Sequence, residues 1–232
     1  AMEGDPRLPA YFSANGEGKY FGGVSGTNFG TSSNYKAATF NRPAAKYSDP
    51  VVMISKAEIE FFLAEYEARY GSDDKAKAHY EAAINASCEA AGVEGADMIL
   101  ALYPWSKADY KKIIGIQKWI ALANVNGFES WCEVRRTGYP AFGPKTGKQI
   151  YAVWKELADK NIADGKANPT PLAADLIEKG AIAPGTIFTP VNVVGLADNT
   201  MIGRLMYATG STSTNTNAPK QKDPATKVFW AK

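Results

Sequence analysis

Gln117-Lys118-Trp119-Ile120-Ala121-Leu122-Ala123-Asn124-Val125-Asn126-Gly127-Phe128-Glu129-Ser130-Trp131-Cys132-Glu133-Val134-Arg135-Arg136-Thr137-Gly138-Tyr139-Pro140 is the stretch on which the fold turns. Its first part continues an amphipathic helix, with Ile113, Ile116, Ile120 and Ala123 at helical spacing and Trp119 beside them. Asn126-Gly127 is a helix-stop signal, because both residues accept the left-handed conformation. A second, short helix follows and carries Trp131, Arg135 and Arg136, with Gly138 and Pro140 ending it. Glu133 lies three residues before Arg136, so the two pair on one face. Glu129 lies four before Glu133, a mildly repulsive spacing that the arginines offset. Trp and Arg together on a short helix predict packing beneath a polar network, so Trp131, Arg135 and Arg136 read as fold determinants more than as ligand contacts.

Upstream, Ser55 to Tyr70 is predicted helical, with Ser55 and Glu58 as a capping box and Ile59, Phe62, Leu63, Tyr66 and Tyr70 along one face. Gly71-Ser72-Asp73-Asp74 is a turn whose acids favour the next helix start. That helix runs from about Lys75 to Ala91, with Ala76, Tyr80, Ala83, Ile84, Ser87 and Ala91 on a face and Gly92 at its end. Such a helix pair looks like a tetratricopeptide unit. One unit cannot bury both of its faces, and none follows downstream, so the expectation is that further repeats lie upstream of this sequence. Ala96 to Ser106 reads as a connection, and Lys107 to about Asn124 as a long helix. The helical core is thus placed at about 51–140, with loop-rich parts at 1–50 and 141–232. Within the latter, Gln149 to Asn161 and Pro171 to Lys179 are candidate helices, and Gly185 to Val194 an extended segment limited by Pro190.

The block from Gln117 to Pro140 closely resembles a signature of the SusD/RagB family, nutrient-binding lipoproteins on the surface of Gram-negative bacteria. Asp5-Pro6-Arg7, Ser55-Lys56-Ala57-Glu58, Arg204-Leu205-Met206-Tyr207 with Asn215 and Asn217, and Asp223 to Trp230 resemble further parts of that family. Ala208-Thr209-Gly210 departs from it, since a proline and a glutamate usually follow the tyrosine. The resemblance implies a mainly α, SusD-like fold of tetratricopeptide-type helix pairs with long irregular loops and little β structure. Family members are about twice as long and begin with a signal peptide and a lipidated cysteine. Neither is found in this sequence, which is therefore expected to be a single C-terminal portion of a SusD-like domain. The resemblance also implies an oligosaccharide or other nutrient ligand and a SusC-like TonB-dependent transporter partner. It places the intact protein at the cell surface on the outer membrane, touching the membrane only through a lipid anchor outside this chain.

Composition is that of an ordinary globular protein. The net charge of +2, with no basic run, speaks against a nucleic-acid partner. Gly22-Gly23-Val24-Ser25-Gly26 lacks the Lys-Ser/Thr of a phosphate-binding loop. The single histidine, His79, and two helical cysteines, Cys88 and Cys132, offer no zinc spacing, and no metal or cofactor is expected. Glu58, Glu60, Glu65 and Glu67 read as a solvated helix face, whereas glycosidase carboxylates need facing elements. No Ser-His-Asp arrangement exists around His79, so an enzyme is not expected.

Sugar binding needs flat apolar rings beside hydrogen-bonding groups. Aromatic residues form 12% of the chain, and the best such cluster is a Gly- and Asn-rich loop with Tyr20, Phe21, Asn34, Tyr35, Phe40, Asn41 and Arg42. This loop cannot build a core alone, so it lies on the helical body or closes over a ligand. Tyr103 and Trp105 are second candidates. For each of these residues the competing, stronger reading is packing against the helical body. The function expected is surface glycan binding and delivery to the transporter. The alternatives are a tetratricopeptide-type protein-interaction scaffold, or a SusD-like protein carrying peptides in place of glycans.

Overall fold

The computed structural model describes residues 4–27, 41–191 and 197–229. Its elements are α1 (Leu8–Tyr11), β1 (Phe12–Ser13), β2 (Arg42–Pro43), α2 (Lys56–Tyr70), α3 (Asp73–Ala91), α4 (Ala96–Leu102), α5 (Tyr110–Ala121), α6 (Gly127–Thr137), α7 (Gly147–Ala163), α8 (Ala173–Glu178) and α9 (Thr209–Thr214). Among the described residues the only sheet is the antiparallel β1–β2 pair, so the fold is mainly α, as expected.

The α2–α3 hairpin forms where its caps require it. Ser55 accepts the Glu58 amide at 3.1 Å, Ser72 accepts that of Lys75 at 3.3 Å, and Gly92 closes α3 in the left-handed conformation (φ 67°). The expected capping box at Ser55 is half made. The Glu58 carboxylate turns inward, to 3.7 Å from the Lys118 ammonium. Small residues let the helices approach. Ala57, Ala64, Ala76 and Ala83 are buried around Phe61, Tyr80 and Ile84, and Ile99, Ile113 and Ile114 complete this cluster from α4 and α5.

Three expectations are corrected. The stretch from Ala96 is a helix over seven residues, not a plain connection, because Ile99 has a place in the core. The break after α5 occurs earlier than Asn126. Asn124 takes the left-handed conformation (φ 59°), while the Asn126 side chain accepts the Glu129 amide at 3.2 Å and so starts α6. Most consequentially, α2 turns the other way. Ile59, Phe62, Leu63, Tyr66 and Tyr70 are exposed, while Ala57, Glu58, Phe61, Ala64, Glu65 and Ala68 are buried. Glu58 and Glu65 therefore do not lie on a solvated face. Spaced seven apart, they share one side of α2 and meet cations from α5 and α6.

Those cations form a buried ion network. The Lys118 ammonium is 3.2 Å from Glu133 and 3.4 Å from the centroid of the Phe62 ring. Burial drives its pKa down, and Glu133 and Glu58 oppose that. Arg136 donates to both Glu133 and Glu65, the pairing with Glu133 being the one expected from sequence. A second polar knot centres on Arg7, which is fully buried. It donates to Asp5 Oδ1 and Oδ2 (3.0 and 2.7 Å), Ser87 Oγ (3.0 Å) and Gln117 Oε1 (2.7 Å). The Asp-Pro-Arg segment is thereby locked onto α3 and α5.

The expected helix in the later part of the chain is present as α7, started by a Thr146–Gln149 capping box. Ile150, Trp154 and Ala158 join Val24, Leu176 and Ala181 in a second core. The expected extended segment contributes Ile187, whose backbone bridges in parallel to Phe142. Cys88 is buried and Cys132 half-buried, and both are free thiols.

Candidate functional site

The aromatic loop is held at its base. β1 pairs with β2 in the register Phe12–Pro43 and Ser13–Arg42. Asn41 donates its side-chain amide to Ser13 O at 2.6 Å and its backbone N–H to Phe21 O at 3.1 Å. Asn15 shapes the outgoing limb, since its Oδ1 accepts the Glu17 and Lys19 amides, each at 2.9 Å. Val24 sits in the core around Trp154, and Ser25 O accepts from Val191 N at 2.9 Å. The described part of the loop thus rests on the helical body. The anchor brings Tyr20, Phe21 and Arg42 to one end of the loop: Phe21 is buried, Tyr20 half-buried and Arg42 exposed. Asn34, Tyr35 and Phe40 lie outside the described residues.

Tyr103 and Trp105 belong to another neighbourhood, between α4 and α5. Tyr80 donates its hydroxyl to Tyr103 O at 2.8 Å, and its ring centroid lies 5.6 Å from that of Trp105. Trp105 donates its indole N–H to Asp73 at the start of α3 (2.9 Å). Both rings are half-buried against the first core. Burial pushes the Tyr103 hydroxyl up, helped by Asp5 and opposed by Arg7. The ring of Trp105 and its one donor are already engaged.

A third place was not singled out from sequence. A cleft of about 280 Å³ opens where the end of α6 meets the segments around Asn199 and Ala225. Pro140, Phe142 and Met201 supply apolar walls, and Arg135 and Lys227 supply cations. Arg135 stacks on Trp131, with 4.1 Å between guanidinium carbon and ring centroid, and donates to Gly203 O. Asn199 Oδ1 is buried and, among the described residues, accepts no hydrogen bond. Apolar walls beside an acceptor that is unpartnered among the described residues, with Arg135 and Lys227 as cations, suit a small polyhydroxylated or anionic molecule. Arg135, Gly138, Pro140 and the stretch from Asp223 to Trp230 were singled out from sequence, but not brought together as a cleft. Asn199 is brought in from a region without recognisable pattern.

Among the described residues, no group of three His, Cys, Asp or Glu could hold a metal ion, and no helix is long and apolar enough to cross a membrane. His79 is half-buried, with its Nδ1 2.7 Å from a Glu60 carboxylate oxygen.

Solved structures of SusD homologues share the fold. A SusD homologue from Bacteroides thetaiotaomicron VPI-5482 is similar with a TM-score of 0.66 and 21% identity, covering 98% of this chain and 49% of its own. A SusD homologue from Bacteroides uniformis ATCC 8492 gives 0.64 and 22%, covering 99% and 47%. The chain therefore spans about half the length of the solved structures it matches. No curated protein matches it. Residues 2–153 match the family model SusD-like_2, described as "Starch-binding associating with outer membrane". That match covers well over half of the sequence and includes the Asp-Pro-Arg knot, the α2–α3 hairpin and the α5–α6 block, and by it the chain belongs to the SusD-like family.

Proposed function

We propose that this chain is the C-terminal portion of a surface glycan-binding protein that captures an oligosaccharide at the outer membrane and delivers it to a SusC-like TonB-dependent transporter. The observation that carries this reading is the match of residues 2–153 to a family described as starch-binding and associating with the outer membrane. The mechanism is capture and release, without covalent chemistry. The intact protein is held at the surface by a lipid anchor outside this chain.

Ligand contacts come from the loop closed by β1 and β2. Tyr20 offers a ring face and Arg42 a cation at its base, beside Phe21. Asn34, Tyr35 and Phe40 follow in the same loop, and Tyr103 and Trp105 form a second surface. Each stacked sugar ring contributes on the order of 1–2 kcal/mol by area burial. After ordering costs, a few such contacts with their hydrogen bonds correspond to affinities of about micromolar to millimolar.

The test is calorimetric titration of a panel of plant, host and microbial glycans, with starch oligosaccharides included. Saturable binding that weakens at least about tenfold, or 1.4 kcal/mol, in Tyr20→Ala or Tyr35→Ala supports the loop as the site. Binding lost only in Trp105→Ala would move the site to the α4–α5 surface. Binding of peptides with no response to any glycan would overturn the glycan reading in favour of a peptide carrier or an interaction scaffold.

A further inference from the structure

The cleft at the end of α6 is assembled from segments far apart in sequence, and each is pinned in place. Arg135 donates to Gly203 O and stacks on Trp131, whose ring centroid lies 5.6 Å from that of Phe128. The Gly203 amide donates to Pro224 O at 2.7 Å, and a Cβ on Gly203 would stand 2.9 Å from Thr226 O. The chain around Gly203 therefore lies directly against the chain around Ala225. Asn199 holds the left-handed conformation (φ 53°), and its backbone amide donates to the hydroxyl of the buried Thr189 at 3.3 Å. Phe142 is set by its backbone bridge to Ile187.

The chemistry of this cleft converges on one class of ligand. Asn199 Oδ1 is buried and has no donor among the described residues. A buried acceptor left unpaired is costly, and a ligand hydroxyl would satisfy it. Arg135 and Lys227 line the cleft, and no carboxylate is among its lining residues. Asp198 and Asp223, the acids nearest in sequence, are exposed and lie outside that lining. The local field is therefore positive and favours an anion. Pro140, Phe142 and Met201 give an apolar wall for the carbon face of a ring. A volume of about 280 Å³ falls just below the roughly 300–1,000 Å³ usual for drug-sized ligands, which suits one sugar ring better than a chain.

We infer that this cleft binds an acidic sugar, a single hydroxylated ring bearing a carboxylate. The carboxylate sits at Arg135 and Lys227, a ring hydroxyl donates to Asn199 Oδ1, and the carbon face rests on Phe142 and Met201. This is a different place from the loop closed by β1 and β2, and the inference stands whether or not that loop holds a glycan.

The test is ligand-observed NMR titration of the protein with galacturonate and glucuronate. Galactose and glucose serve as neutral counterparts and sodium sulfate as a bare anion. At least one uronate should bind saturably, about tenfold or more tightly than its neutral counterpart. Lys227→Met alters an exposed side chain; it should weaken uronate binding about three- to tenfold and flatten its salt dependence. Asn199→Gly keeps the left-handed backbone and removes the acceptor, and should weaken it about tenfold while the melting temperature shows the fold intact. Uronate binding of this kind beside no response to any oligosaccharide would sustain this inference and remove the loop reading. No saturable uronate binding, or equal affinity for a uronate and its neutral counterpart, overturns the inference. So does sulfate binding as tightly as the uronate, which would make this a bare anion site. Uronate binding that falls in Tyr20→Ala but not in Lys227→Met or Asn199→Gly would place the anion in the loop and equally overturn it.

Discussion

Arg136 clasps Glu65 across 71 positions of sequence, Nη1 to Oε1 at 2.9 Å and Nη2 to Oε2 at 2.5 Å, and turns its Nε and Nη2 to Glu133 at 3.1 and 2.9 Å. One guanidinium thereby fastens α6 to α2 and to its own helix. Removing it leaves two largely buried carboxylates without their main partner. Arg136→Ala should cost about 2–4 kcal/mol, read by urea unfolding. Arg136→Lys should recover only a minor part, since an ammonium cannot make the two-pronged contact.

The same pair sets an acid sensitivity. Burial pushes the Glu65 carboxyl up, but the Arg136 hydrogen bonds and the charges of Arg136, Arg69 and Lys118 outweigh it, so its folded pKa is below the ordinary value of 4.5. The folded state then binds protons less readily than the unfolded one. The stability Glu65 contributes is complete above about pH 4.5 and is lost as pH falls through the lowered folded value. Unfolding midpoints measured from pH 7 to pH 3 should fall less steeply in Glu65→Gln than in the parent, from a lower starting stability.

Lys118 reports on pairing inside the core. Lys118→Met should destabilise by about 3–5 kcal/mol, because Glu58 is left buried without its cation. Adding Glu58→Met should restore much of that loss, since Glu133 still holds Arg136. A double-mutant cycle by denaturant melts checks the coupling, and additive losses would contradict it.

Arg7 is fully buried with every described partner in place. Arg7→Ala should cost about 3–5 kcal/mol, and Arg7→Lys should fail to rescue because one ammonium cannot serve Asp5, Ser87 and Gln117 together. Thermal melts of both variants decide this.

Two glycines mark close packing. A Cβ on Gly147 would fall 2.0 Å from Thr189 O, and one on Gly115 would fall 2.7 Å from Tyr139 Cβ. Gly147→Ala should be the worse of the two, because it meets backbone at the start of α7. Both should lower stability by about 1–3 kcal/mol, measured by calorimetry.

Much of the helical framework was legible in the sequence, for local reasons. Ser55, Ser72 and Thr146 are N-caps, Gly92 and Gly138 are left-handed C-caps, and each acts within one turn of the chain. The Glu133–Arg136 pair is likewise local. The site was less legible. Tyr20 and Arg42 come to the same end of the loop only through the β1–β2 pairing and the Asn41–Phe21 backbone bond. The cleft beside Arg135 exists only because residues near Asn199 and Ala225 return to the end of α6. No spacing in the chain encodes such returns.

α2 divides the two kinds of information most clearly. Its periodicity, by itself, determined that residues 56–70 form a helix with an apolar stripe at Ile59, Phe62, Leu63, Tyr66 and Tyr70. Which side faces inward was decided only in three dimensions. Small residues at Ala57, Ala64 and Ala68 admit α3 closely, and Glu58 and Glu65 meet Lys118 and Arg136. A hydrophobic pattern records that a face wants cover, but it does not record which partner supplies it. Close packing and charge pairing settle that, and both depend on residues far away in the chain.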